Sequence, residues 1–393
     1  MNKYRGSVTA LLGALALFGF SLNAHAVPSY ARQTNLACAA CHTIFPELTP
    51  FGRSFKLNGY TLTGLKGVEA QPTASASGVK IGSAAPMAAM LQVNMTNNNG
   101  GNTYNMPNEF SLFFSGEISP KMGSFVQMTL ENGGSFSMDN ADIRYANHKG
   151  DTTYGFTINN SPTVQDLWNS TPVWGYPFTG GPDPLTQPLV ADGLGQAVMG
   201  LGAYAQMANG LYGELTLYQS TDGGGNLDSP GGVSNTTLKE ASPYVRLAWQ
   251  KGLSNGDNLM IGGYGMQSTL DDGSGNTDKV TDMTIDTQYE HPMKSGDLIS
   301  VHASYTNEKT DAGIPLSTSA TLNALRADVG YHWGSHAEAI LGYAQNTDMV
   351  DEQAVTAQYS YLPWQNTKFT AQYVNDMKDS NNNFLLLQAW FMW

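Results

Sequence analysis

From about residue 86 onward, apolar and polar residues alternate in short runs separated by clusters of Gly, Asn, Asp and Ser, with no sustained helical period. Leu211 to Gln219 shows the pattern: Leu211, Gly213, Leu215 and Leu217 alternate with Tyr212, Glu214, Thr216 and Tyr218. A period of two sends one set to each face of a strand. Read this way, the chain predicts sixteen strands, at about 86–97, 108–119, 123–131, 137–147, 151–159, 196–208, 211–220, 241–250, 257–268, 280–290, 297–308, 320–333, 337–346, 352–362, 367–376 and 383–393.

The connections alternate as well. After even-numbered strands they are mostly short, at 120–123, 148–151, 209–210 and 334–336. After odd-numbered strands they include the longest, 160–195 and 221–240, with 98–107, 269–279 and 309–319 of moderate length. Ten-residue alternating segments, an even count, and short turns opposite long loops are the signature of an outer-membrane β-barrel rather than a soluble sandwich. The final segment, from Phe384 to Trp393, ends on an aromatic, as expected of a last strand that pairs with the first. Tyr331, Trp333, Trp364 and Trp393 fall near strand ends, where interfacial girdles form.

The residues ahead of this region divide into three parts. Lys3 and Arg5, an apolar run from Val8 to Phe20 and Ala24-His25-Ala26 make residues 1–26 a secretory signal peptide. Residues 27–64 read as a small helical segment, and 65–84, rich in Ala, Ser, Thr, Gly and Pro, as a linker to a barrel over 85–393. No later stretch approaches the ~18 apolar residues of a spanning helix. Composition agrees, with 43 glycines, 19 tyrosines and 13% charged residues. The formal charge of -13 argues against a nucleic-acid partner and favours cations.

Chemistry concentrates in residues 31–60. The chain has 2 cysteines, Cys38 and Cys41, both within one CxxCH that ends in His42. That spacing suits thioether attachment of haem c, with His42 as the proximal ligand of its iron. A redox CxxC or a structural disulfide are the competing readings. Phe45, Leu48, Phe51, Phe55 and Leu57 supply apolar surface to pack against a porphyrin, and Pro46 and Pro50 break the segment into two short helices. For the far side of the iron the nearest candidates are Met90 and Met87, with an open or water-filled site as the alternative. The remaining histidines of the mature chain, His148, His291, His302, His332 and His336, fall among strands and turns. The 160–195 loop carries Trp168, Trp174, Tyr176 and Phe178, which could fold inward, and Asp166 and Asp183, which could meet an entering cation. There is no phosphate loop, zinc pattern or nucleophile elbow.

Two stretches carry a family resemblance. One is Tyr30-Ala31-Arg32-Gln33-Thr34, the CxxCH, Phe45-Pro46-Glu47-Leu48, Phe51-Gly52-Arg53, Phe55-Lys56 and Gly59-Tyr60. The other is the run from Pro162 to Pro172, PTVQDLWNSTP. Both are similar to the outer-membrane fused cytochrome-porins of iron-oxidising bacteria. Asn35 in place of a glycine and Tyr30 in place of a phenylalanine depart from that pattern without touching Cys38, Cys41 or His42. The resemblance implies an electron-transfer protein acting as an Fe(II) oxidase, with one covalent haem c in a segment that plugs the lumen. It further implies extracellular Fe(II) as donor, a periplasmic cytochrome or other electron acceptor, and outer-membrane lipid around the barrel. Two other readings are a conduit for a different donor or acceptor and a solute porin with a structural haem.

Overall fold

The computed structural model describes residues 28–65, 86–131, 134–168, 185–221 and 227–393. The expected signal peptide and nearly all of the expected linker lie outside these residues.

In chain order the strands are β1 (Met87–Asn98), β2 (Gly101–Ser119), β3 (Met122–Glu131), β4 (Phe136–Lys149), β5 (Thr152–Asn159), β6 (Val198–Gln206), β7 (Leu211–Ser220), β8 (Leu227–Ser229) and β9 (Val233–Leu238). They continue with β10 (Ser242–Gly252), β11 (Asn258–Asp271), β12 (Thr277–Pro292), β13 (Leu298–Asp311), β14 (Ala320–Trp333), β15 (Ala337–Asp348), β16 (Glu352–Trp364), β17 (Thr367–Asp376) and β18 (Phe384–Met392). Each wall strand pairs antiparallel with its neighbour in the chain, except that β7 bypasses β8 and β9 to pair with β10. Pairing of β1 with β18, from Met90 opposite Met392 to Asn98 opposite Phe384, closes a sixteen-stranded barrel.

The alternation read from the sequence decides which way each residue faces. In β7, Leu215 and Leu217 are about half exposed on the outside, whereas Tyr212, Glu214, Thr216 and Tyr218 are buried in the lumen. Leu201, Leu247, Ile261, Met283, Ile285 and Leu341 continue the outward apolar set around the wall. An exposed apolar belt of this extent is matched by lipid, not water. Trp333, Trp364 and Trp393 are exposed near strand ends, as a girdle requires.

Two expectations need correction. The 98–107 connection is a tight turn at 99–100, because β2 starts at Gly101 and carries its polar first half in register with β1. The 221–240 connection contains the hairpin of β8 and β9, and Leu238 and Thr237 of β9 add to the end of β11. Both strands are short and polar, so alternation is weak there.

A barrel of this size leaves a wide lumen, and two segments enter it. The first comprises α1 (Pro28–Thr34), α2 (Cys38–Cys41) and α3 (Pro50–Leu57), one helix more than the two prolines led us to expect. Pro50 opens α3 at a position that needs no N–H, and the Thr49 side chain accepts from the Gly52 amide at 3.1 Å. The second is the start of the connection from β5 to β6, where Ser161 caps α4 (Pro162–Gln165).

Candidate functional site

The first segment touches walls on opposite sides of the barrel. Tyr30 donates to Ser124 O at 2.5 Å, Tyr60 to Asp142 Oδ2 at 2.6 Å, and Tyr204 to Leu57 O at 2.8 Å. Across the lumen, Arg53 forks onto Glu290, with 2.9 Å to Oε1 and 2.6 Å to Oε2, and Lys368 Nζ donates to Phe45 O at 3.0 Å. These partners lie toward the short-turn end. The segment therefore spans the lumen near that end.

Within it, the CxxCH is held tightly. Asn35 adopts a φ of 56°, the left-handed conformation that glycine or asparagine tolerates. Thr49 donates through Oγ1 to Ala40 O at 2.6 Å and through its amide to Cys41 O at 3.0 Å. A Cβ on Gly52 would sit 2.1 Å from Cys41 O, so only glycine lets α3 approach α2 this closely. Gly52→Ala is expected to push the helices apart and destabilise the packing of the segment by about 1–3 kcal/mol, the cost of overpacking a close contact. Limited proteolysis of the segment at residues 28–65 in the folded barrel checks this.

Cys38, Cys41 and His42 all line one cavity. Its walls are apolar: Phe45, Leu48 and Phe55 from the segment, Met90 from β1, Phe113 and Phe125 from β2 and β3, and Trp390 and Met392 from β18. Val164 and Asp166 of the infolded connection also border it, so this loop both fills lumen and packs over the cavity. Of the five apolar residues expected to face a porphyrin, Phe45, Leu48 and Phe55 line this cavity. Leu57 instead packs with Leu167, Trp168 and Tyr204.

His42 Nδ1 lies 3.2 Å from Glu47 O. A carbonyl only accepts, so Nδ1 carries the proton and the Nε2 lone pair is left for a ligand bond. Burial holds this imidazole below its ordinary pKa, in the neutral, ligating form, although the backbone carbonyls of Glu47 and Pro46 pull the other way. Burial, with the neighbouring Cys38, pushes the Cys41 thiol up to about 11. A thiol–disulfide exchange site needs the opposite shift.

The Glu47 side chain extends away from the cavity into the wall. Its Oε1 is 3.1 Å from His302 Nε2 and its Oε2 is 3.6 Å from His332 Nε2. His302 Nδ1 and His332 Nδ1 face Asp328 and Glu338 at 3.2 and 3.5 Å. Burial would raise the Glu47 carboxyl, but the hydrogen bond from His302 and the positive ends of His332, His302 and Arg53 bring it down to about 2. Glu47 thus clamps the loop whose carbonyl orients His42. Lys56, lowered to about 8 chiefly by burial and then by Arg144, ties α3 to the Val164 and Asp166 carbonyls.

Other candidate residues divide cleanly. Met90 is 1% exposed and faces the cavity, whereas Met87 is 45% exposed on the outside. The two are three apart on one strand and must point to opposite faces, so Met87 is excluded as a ligand. Met392, directly opposite Met90, also lines the cavity and was not anticipated. The lumen-facing alternation of Trp390 and Met392 in the last strand was the available signal. His336 borders a smaller recess that it shares with Cys38 and His42. Trp168 folds inward as anticipated, donating to Gln250 Oε1 at 2.6 Å beneath the Arg246 guanidinium. Asp166 meets no entering cation, because it is buried 3.7 Å from Arg246. Trp174, Tyr176, Phe178 and Asp183 lie outside the described residues.

Neither a protein-family model nor a curated protein matches the chain. Solved structures do. An anion-selective porin from Comamonas acidovorans superposes with a TM-score of 0.52 at 12% identity, over 78% of this chain and 98% of the porin. OmpF of Salmonella typhi, in complex with daunomycin, gives 0.51 at 11% identity, over 78% and 97%. A loop L8 deletion mutant of OmpT from Vibrio cholerae gives 0.50 at 14% identity, over 78% and 98%. At such identities the likeness concerns the fold alone, and that fold is the porin-like outer-membrane barrel.

Proposed function

We propose that this protein is an outer-membrane electron-transfer cytochrome-porin that takes electrons from extracellular Fe(II) and delivers them to a periplasmic acceptor. One observation carries the reading: the two thiols and the imidazole of a single CxxCH open into one apolar cavity walled by barrel strands. Cys38 and Cys41 would hold haem c through thioethers and His42 Nε2 would ligate its iron, with Met90 the candidate on the far side. When bound, this group supplies one-electron exchange.

The chain's own residues do the rest. Phe113, Phe125 and Trp390 exclude water from the cavity, and the Glu47 carbonyl fixes the ring of His42. Arg53, Lys56 and Lys368 hold the segment across the lumen, so that an electron rather than iron would cross and Fe(III) would stay outside. The recess at Cys38 and His336 lies toward the short-turn end, the side on which a periplasmic cytochrome would dock. A secretory signal and the lipid-matched outer belt support the outer membrane as its location.

The test is anaerobic mixing of the purified protein with Fe(II) while the haem bands are followed. Reduction by Fe(II) is expected. A spectrum unmoved by Fe(II) but responsive to another donor would replace this reading with a conduit for that donor.

A further inference from the structure

The lumen face of β12 carries a column of buried carboxylates, Asp278, Asp282, Asp286 and Glu290. Three of them have donors. Asp278 takes the Gly313 and Ile314 amides at 2.8 and 2.9 Å with the hydroxyls of Ser229 and Ser317, Asp286 takes Arg246, and Glu290 takes Arg53. Asp282 is the exception. It is 1% exposed, and neither of its buried carboxylate oxygens has a hydrogen-bond donor outside its pair with Glu308.

The residue directly across the ladder from Asp282 is Glu308 of β13, also 1% exposed. One oxygen of Glu308 accepts from the Leu189 amide at 2.5 Å, where the infolded connection crosses the wall. Like charges directly opposite destabilise a sheet, and buried carboxylates without counter-charge do so more strongly. Among the described residues no lysine or arginine is ion-paired with either. The next lumen-facing rung, Thr284 with Thr306, is neutral, its hydroxyls bonded to each other at 2.8 Å.

We propose that Asp282 and Glu308 together bind one hard divalent cation in the lumen wall, beneath the connection at Leu189. Two carboxylates match its charge, and their oxygens select the Mg(II), Ca(II), Mn(II) and Fe(II) class over thiophilic metals. Among the described residues no three His, Cys, Asp or Glu converge there, so water completes the coordination. The site needs no redox step. It stands or falls separately from the electron-transfer reading.

The full-length protein in detergent at neutral pH is titrated with Mn(II), with free Mn(II) followed by electron paramagnetic resonance. One site per chain is expected, weakened at least about tenfold in Asp282→Asn and in Glu308→Gln, since even outer-shell losses cost that much. Asp311→Asn, which alters an exposed carboxylate paired with Lys309, should retain it. Absence of the site in the wild type, or wild-type affinity in both variants, would overturn the proposal. Infrared spectroscopy decides independently of how the variants fold. Saturating Mn(II) should abolish any protonated-carboxyl band of the wild type that Asp282→Asn removes, and a band unmoved by Mn(II) would mean that the pair merely shares a proton.

Discussion

Cys41→Ala is expected to abolish covalently held haem and Fe(II)-dependent reduction while leaving a heat-modifiable barrel. Cys41 ends α2 beside His42, and its carbonyl receives the Thr49 amide and abuts Gly52. Alanine keeps that backbone packing and removes only the sulfur. The barrel is indifferent, because closure depends on ladder pairing of β1 with β18 and on the outward apolar set. Haem staining of denaturing gels, heat modifiability and stopped-flow reduction by Fe(II) read the three consequences separately. Fe(II) oxidation at wild-type rate in the variant would defeat the mechanism.

The second large effect concerns the lumen. Glu290→Ala should release the Arg53 side of the segment and raise conductance in planar bilayers from a low wild-type value. The Arg53–Glu290 pair is bidentate at 2.9 and 2.6 Å, with side chains 4% and 3% exposed. Deleting one partner of such a pair costs about 3–5 kcal/mol, because the other is left charged and buried. Among the described residues, Arg53 would keep its 2.8 Å bond to Leu48 O. Replacing both partners together, as Arg53→Met with Glu290→Leu, should restore most of the blockade, since apolar substitutes of similar volume often hold as well as the pair. Wild-type conductance in Glu290→Ala would show that the pair does not hold the segment.

The wall was legible in the sequence because every wall strand repeats one simple rule, apolar outside and polar inside, and Leu211 to Gln219 states it in nine residues. Where the rule weakens, strands look like loops: the polar start of β2 and the hairpin of β8 and β9 carry too little alternation to show. The cysteines and His42 were legible as one group because they fall within five residues, and the structure brings all three to one cavity. Their supports were not. Glu47 finds His302 and His332, and Arg53 finds Glu290, across more than two hundred positions, and no local pattern encodes such a meeting. The same rule of two that drew the strands would have separated Met90 from Met87, had it been applied to the ligand question.

The cavity wall has a further consequence, for assembly. Met90 belongs to the first strand made and Trp390 and Met392 to the last, and all three meet only where β1 and β18 close. A chain that stops before β18 would carry an intact CxxCH but never complete its enclosure. On the proposed reading, thioethers would have to form on an open segment, before the final strand shuts the chamber around it.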